Sequence, residues 1–222
     1  MSETLWTAVD QYITDMLVPT DAILDAAIEA SNAAGLPPIA VTPPQGKLLH
    51  LLARVQGAQK ILEIGTLGGY STIWLARALP ADGCLVTLEA KSDHAKVAKA
   101  NISRAGLDAI VDLRLGPALE TLPQIAAAGA GAFDFIFIDA DKQNIPKYFE
   151  FARKLSRRGS LIIVDNVVRD GRVIDAKSHD PDIQGIRRFN QLLSVEAGIC
   201  ATAIQTVGAK GHDGFAIVLV TG

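Results

Sequence analysis

The sequence predicts an α/β protein built on one mainly parallel sheet, and three observations carry that prediction. From residue 60 onward, short apolar runs alternate with stretches of helical period, as in repeated strand–helix–strand units. Those runs are continuous and rich in Ile, Val, Leu and Phe, as strands covered on both faces are. The 222 residues are 49% hydrophobic and 20% charged, a globular composition. At roughly 150 residues per domain that length favours one elaborated domain over two.

Taken in order, residues 1–57 read as a helical extension and 58–222 as the α/β core of the same domain. Leu5, Val9, Tyr12, Ile13, Met16 and Leu17 recur at helical spacing, and Pro19 ends that helix. Thr20 or Asp21 caps a second helix that runs to Gly35. A proline-rich connector, LPPIAVTPP, leads into a third amphipathic helix, QGKLLHLLARVQGA. KILEIG, CLVTLE, IVDLRL, FDFIFIDA and GSLIIVDN are the five core strands. STIWLARALP, SDHAKVAKANISRAG, ALETLPQIAAAG and IPKYFEFARKLSRRG are the helices between them, and the small-residue run at 126–132 is a loop. VVRDGRVIDAKSHDPD is polar and long enough for a flexible lid, and IQGIRRFNQLLS is a final helix. ICATAIQTV and GFAIVLVT, joined by the Gly-rich linker GAKGHDG, form an antiparallel pair that brings the sheet to seven strands.

Composition excludes several classes of function. Lys plus Arg number 21 and Asp plus Glu 24, a net charge of −3, whereas a general binder of phosphate backbones is basic. Cys84 and Cys200 are too few for a disulfide scaffold and point to a reducing compartment. No apolar run approaches the ~18 residues that span a bilayer. The N-terminal MSETLWTAVDQY lacks the basic and apolar regions of a signal peptide, so a cytoplasmic location is expected.

Two sets of residues carry chemistry. The first is Glu63-Ile64-Gly65-Thr66-Leu67-Gly68-Gly69, where a strand ends in an acid, turns on glycine and opens a helix. Ligands of open α/β sheets bind at such strand ends. The spacing is not G-x-G-x-x-G, which disfavours a dinucleotide and with it a dehydrogenase. The carboxylate of Glu63 would repel a pyrophosphate and welcome a cation, and S-adenosylmethionine carries an ammonium and a sulfonium. Glu89, closing the next strand, can accept hydrogen bonds from ribose hydroxyls. The competing reading is that both acids cap helices or pair with lysines.

The second set is Asp139, ending one strand, with Asp165 and Asn166 ending the next. Two carboxylates and an amide oxygen, without His or Cys, make a hard site suited to Mg²⁺. His50, His94, His179 and His212 are scattered, against a zinc site. A single such Asp is more often a cap, but the three together beside a cofactor turn reverse that preference. Lys142, three residues beyond Asp139, is carried over the same place as a candidate base.

EIGTLGGYSTIWLA, TLEA, GPA, DADKQNIPKY and VDNVVRDG together resemble the metal-dependent class I O-methyltransferases, the caffeoyl-CoA and catechol group, in its small bacterial form. The resemblance covers roughly residues 35–220 and is most specific in DADK with DN. It implies a Rossmann-like sheet, S-adenosylmethionine as methyl donor, and a divalent metal (Mg²⁺, with Mn²⁺ or Ca²⁺ able to replace it in binding). By resemblance Asp139, Asp165 and Asn166 hold the metal, and Lys142 is the general base, with Asp139 also beside the reaction. Val41, Glu63, Gly65, Thr66, Ser71, Glu89, Ala118 and Asp139 match cofactor-contacting positions. Ile145 or Val168 stands where the plant enzymes typically carry Tyr or Trp, and Ala140 and Asp141 are smaller than in the animal catechol enzymes. These positions are expected to border the acceptor pocket.

The implied reaction is methyl transfer to a phenolic hydroxyl with a vicinal oxygen, covered by the 167–182 segment with Arg169, Asp170 and Arg172. Some relatives methylate a hydroxylated uridine of transfer RNA, against which the pI of 5.8 weighs; RRG at 157–159 and IRRF at 186–189 could form local basic patches but read better as ordinary surface arginines. A cofactor-binding protein without catalysis would not need Asp139, Lys142, Asp165 and Asn166 intact. Trp6, Tyr12, Met16 and Leu17 form an apolar stripe that one small domain does not bury alone, so a homodimer is expected, with the terminal strand pair at its interface.

Overall fold

A computed structural model describes residues 3–129 and 131–222. Helices α1 (Glu3–Leu17), α2 (Ala22–Ala33) and α3 (Pro43–Gln56) precede the core. The core runs β1 (Lys60–Ile64), α4 (Tyr70–Ala76), β2 (Cys84–Glu89), α5 (Ser92–Arg104), β3 (Val111–Leu115), α6 (Ala118–Ala127) and β4 (Phe133–Ile138). It continues with α7 (Ile145–Lys154), β5 (Ser156–Asp165), α8 (Pro181–Val195), β6 (Ile199–Gly208) and β7 (Gly211–Val220). The strands form one seven-stranded sheet in the order β3-β2-β1-β4-β5-β7-β6. β7 is antiparallel to both β5 and β6, and every other pair is parallel, as the sequence predicts.

Strand periodicity assigns the two faces. Leu62 and Ile64 of β1, with Ile136 and Ile138 of β4, pack against α6, α7 and α8. Ile61, Phe135 and Phe137 face the other way, onto α3 and α4. Glu63 shares the parity of Ile61, so its side chain points to the α4 side. Residues 18–57 belong to that second layer rather than standing apart: Val18, Leu24, Ala27, Val41, Leu49 and Ala53 share its core. Asp21 caps α2 by accepting from the N–H of Ile23 and Leu24, and pairs with Arg77 at 2.6 Å. Only α1 is peripheral, with no buried residue.

Several boundaries differ from expectation. α7 stops at Lys154 rather than Gly159, because Ser156 already pairs with Phe133 and Arg157 reaches Asp134 at 2.5 Å. Tertiary pairing there overrides the helical period of the basic run. α4 ends at Ala76, short of Pro80. The linker GAKGHDG is mostly strand: pairing continues to Gly208 opposite Gly211, leaving a two-residue turn, Ala209-Lys210. Ala130, inside the small-residue run, lies outside the described residues. Among the described residues no helix is long and apolar enough to cross a membrane.

Candidate active site

β1 and β4 are neighbours, and the chain leaves them in opposite directions across the sheet, which makes their C-terminal ends the switch point of the fold. A cavity of about 890 Å³ opens there, within the range of small-ligand sites. Gly65, at φ 103°, makes the cavity possible. A Cβ on it would lie 2.0 Å from the Asp139 carbonyl oxygen, so only glycine lets the turn after β1 lie against the end of β4. The Asp139 N–H donates to Ile64 O at 2.9 Å and ties the two ends together.

One end of the cavity gathers the residues predicted to hold a cofactor. Val41, Gly65, Thr66, Ser71, Glu89, Ala118 and Asp139 all line it. Glu89 is buried at the end of β2, and its two oxygens accept the N–H groups of Leu67 and Lys91, each at 2.9 Å. That fixes the carboxylate in the wall, with His94 Nδ1 at 3.6 Å.

Glu63 departs from expectation. It is fully buried, does not line the cavity, and sits in a cage of hydroxyls. Ser71 Oγ donates to it at 2.7 Å, Thr72 Oγ1 at 2.5 Å and Thr87 Oγ1 at 2.6 Å. Thr87 also shares a 2.6 Å hydrogen bond with Thr66. Burial pushes the Glu63 carboxyl up to about 7 against the pull of those donors, with the charge of Asp139 adding to the rise. Glu63 thus holds Ser71 directly and Thr66 through Thr87, both in the cavity wall, from a position just behind that wall.

The other end holds the predicted acid–base group. Lys142, in a short 3₁₀ turn (Lys142–Asn144), is buried and donates to Asp139 Oδ1 at 2.7 Å. Asp165 lies deeper: it is buried, is not part of the cavity lining, and is held at both oxygens. The N–H of Asn166 donates to Oδ1 at 2.8 Å and the Gln45 amide to Oδ2 at 2.7 Å. Burial first, and the charge of Asp139 second, raise its carboxyl well above the ordinary range, opposed by Lys142 and these donors. Asn166 lines the cavity from a left-handed backbone, φ 60°. Two carboxylates thus crowd one amine, a charge arrangement that a divalent cation would relieve. Among the described residues no group of three or more His, Cys, Asp or Glu is set to hold a metal, so a cation at Asp139 and Asp165 would need the Asn166 amide and water or substrate oxygens as well. That donor set fits Mg²⁺, which keeps part of its hydration.

Around the acceptor side some expectations fail. Ile145 is wholly buried in the core and Val168 packs against it, so neither borders the cavity, whereas Ala140 and Asp141 do. Of the expected cover, Arg169 and Asp182 line the cavity, but Arg172 pairs with Asp180 at 2.9 Å and does not, nor does Asp170. The first residues of the segment, Val167 to Asp170, are tied to β7. Sequence reasoning missed Gln45, Tyr148, Lys210 and Asp213. Tyr148 lines the cavity and donates to Asp141, its phenol pushed up by burial and by that carboxylate. Lys210, on the β6–β7 turn, donates to Ala40 O in the proline-rich connector. The partners of Gln45, Lys210 and Asp213 are distant in sequence, so no local pattern marks them, and Tyr148 reaches Asp141 only seven positions away.

A Rossmann-like sheet of this order, with a cavity at its switch point and an antiparallel last pair, defines the class I methyltransferase architecture. A family model described as O-methyltransferase matches residues 16–218. The chain is 51% identical over 220 residues to a catechol O-methyltransferase from Niastella koreensis, covering 99% of this chain and all of that one. It is also 51% identical over 212 residues to a catechol O-methyltransferase from Mycobacterium tuberculosis, covering 96% and 94%. Among solved structures, an O-methyltransferase from Bacillus cereus in complex with SAH superposes with a TM-score of 0.98, at 56% identity over 99% of this chain and 100% of that one. The O-methyltransferase TomG from Streptomyces achromogenes, in complex with SAM, gives 0.97 at 49% identity over the whole of both chains. The chain belongs to the O-methyltransferase family.

Proposed function

We propose that this enzyme transfers a methyl group from S-adenosylmethionine to one hydroxyl of a vicinal phenolic diol, of the catechol or caffeoyl type, with Mg²⁺ held by Asp139, Asp165 and Asn166. The observation that carries the reading is the ion pair of buried Lys142 with half-buried Asp139, 2.7 Å apart, in the cavity that Glu89 also lines. Glu89 would accept from a ribose diol, a role supported by its place in the cavity wall, which Ser71, anchored on Glu63, shares. S-adenosylmethionine supplies an electrophilic methyl, and a divalent metal supplies a charge that stabilises a phenolate and orients neighbouring oxygens. Lys142 Nζ takes up the proton released by the attacking hydroxyl. The remaining wall holds donor and acceptor in line and excludes water, an ordering that can contribute ~7–11 kcal/mol to lowering the barrier.

Relatives named catechol O-methyltransferase support a small phenolic acceptor over nucleic acid. The free cysteines, Cys84 half-buried and Cys200 exposed, are consistent with a cytoplasmic enzyme. A homodimer is supported by Tyr12, Met16 and Leu17 on α1, each about two-thirds exposed, beside Ile204 and Val207 on β6, the edge of the sheet. Sedimentation at micromolar concentration should give twice 23.5 kDa, and a monomer refutes the assembly. Transfer of labelled methyl to catechol, caffeoyl esters and bulk transfer RNA, with EDTA and with added Mg²⁺, tests the chemistry. Metal-dependent labelling of the diols is expected. Labelling of transfer RNA alone overturns the acceptor, and full activity in EDTA overturns the metal.

A further inference from the structure

The loop that follows β5 is held in an unfavourable backbone conformation. Asn166, Arg169 and Asp170 have φ of 60°, 55° and 56°, in the left-handed region that L-residues avoid. Such a run persists only where its surroundings over-determine it. Here the start of β7 does so. Asp213 Oδ1 accepts the N–H of Val168 and Arg169, each at 3.0 Å, and that of Gly214 at 2.9 Å. On either side Val167 N donates to Gly214 O at 3.0 Å and Asp170 N to His212 O at 2.8 Å. Gly214 permits the approach of both neighbours, since a Cβ there would come within 2.3 Å of Ile204 O on β6 and 2.8 Å of Val168 Cγ2 in the loop. Asp213 and both cavity-lining residues of the loop, Asn166 and Arg169, face the same cavity.

We propose that Asp213 is a positioning residue: by gathering two amides of the loop after β5, with that of Gly214, on one carboxylate oxygen it holds the loop so that the Asn166 amide is presented to the metal and Arg169 to the acceptor. The inference rests on the metal assignment to Asp139, Asp165 and Asn166. It extends that site to a residue of the last strand that is not among the assigned metal ligands. Preorganisation is the physical content, because an anionic acceptor binds several amides more strongly than a neutral one, and a ligand on a fixed loop loses less entropy on coordination.

The test uses the whole protein saturated with S-adenosylhomocysteine, with Mn²⁺ affinity read by electron paramagnetic resonance and amide exchange at Val168 and Arg169 by NMR. D213A should weaken Mn²⁺ by about 10–100-fold, the range for residues behind a metal's ligands. It should speed exchange at both amides and leave S-adenosylhomocysteine affinity unchanged. D213N keeps an acceptor oxygen and should lie between D213A and wild type. A merely structural role would lower affinity for both ligands together and overturn the inference. If D213A does not fold, D213N decides: exchange rates and Mn²⁺ affinity equal to wild type overturn the proposal, and faster exchange with weaker Mn²⁺ supports it. Wild-type protein that binds no Mn²⁺ overturns the metal assignment itself. Wild-type binding that D213A leaves untouched overturns only the role of Asp213.

Discussion

Replacing Glu63 with Gln should change how stability depends on pH, and the size and sign follow from the cage. Glu63 is fully buried and its carboxyl rises from the ordinary 4.5 to about 7, chiefly through burial. At 1.36 kcal/mol per pH unit, that rise is a cost of about 3 kcal/mol for holding the ionised form in the folded chain. Below pH 4.5 the group is protonated folded and unfolded, and the cost is absent. Between 4.5 and about 7 the unfolded chain has lost the proton and the folded chain keeps it, so stability falls as pH rises. Above 7 the full cost is present. The amide introduced by E63Q does not titrate, and the hydroxyls of Ser71, Thr72 and Thr87 can turn to serve it. Urea unfolding of both proteins at pH 5, 6, 7 and 8, without ligand and in EDTA, measures the effect. Asp165 also titrates upward, but it is common to both proteins and cancels in the difference. The E63Q variant should gain about 3 kcal/mol on wild type between pH 4.5 and 8. Two stability profiles that run parallel across that window would show that the cage holds an ordinary carboxylate, and the argument for its burial cost would fall.

Two further outcomes bear on the reaction. Lys142→Ala should lower kcat by about 10²–10⁴-fold, the usual loss for a general base. The Kd of S-adenosylmethionine should hold, since Lys142 follows β4 whereas Glu89 ends β2, with β1 and its glycine turn between them. Near-normal turnover at pH 7 would remove Lys142 from the proton's path. Glu89→Ala should weaken S-adenosylmethionine, S-adenosylhomocysteine and adenosine alike in calorimetry, because all carry the ribose. Charge-assisted hydrogen bonds of about 1.5–3 kcal/mol each are at stake, and unchanged adenosine affinity would mean that Glu89 serves only the Leu67 and Lys91 amides it already binds.

The parts of the fold legible in the sequence are those set by local pattern. Continuous apolar runs mark β1, β2 and β4 at their observed places, since burial on both faces leaves no other composition, whereas the edge strand β3 is only partly buried and β5 begins three residues before its apolar run. The chemical residues were legible because strand ends in a parallel sheet all open on one edge. Asp139, Asp165 and Asn166 meet for that reason, though 26 positions separate the first two. What the sequence hid is set by contacts across the fold. The GAKGHDG segment reads as a linker by its glycines, yet those glycines let β6 and β7 pair almost to their tip and let the loop after β5 lie against them.

Glu63 and Gln45 show the limit most clearly, and they show it in opposite directions. An acid at the end of a strand, before a glycine turn, looks like a ligand. Strand parity instead turns it under α4, where three hydroxyls surround it. Gln45 looks like an ordinary first-turn residue of α3, set by the Thr42 cap and two prolines. It reaches 120 positions along the chain to Asp165, and so makes the N-terminal extension part of the site rather than a dispensable flank. The two cases share one physical cause. Residue type and spacing fix where the backbone puts a Cβ, and the packing of the next layer decides whether the polar atoms beyond it face the cavity or hold another residue that does.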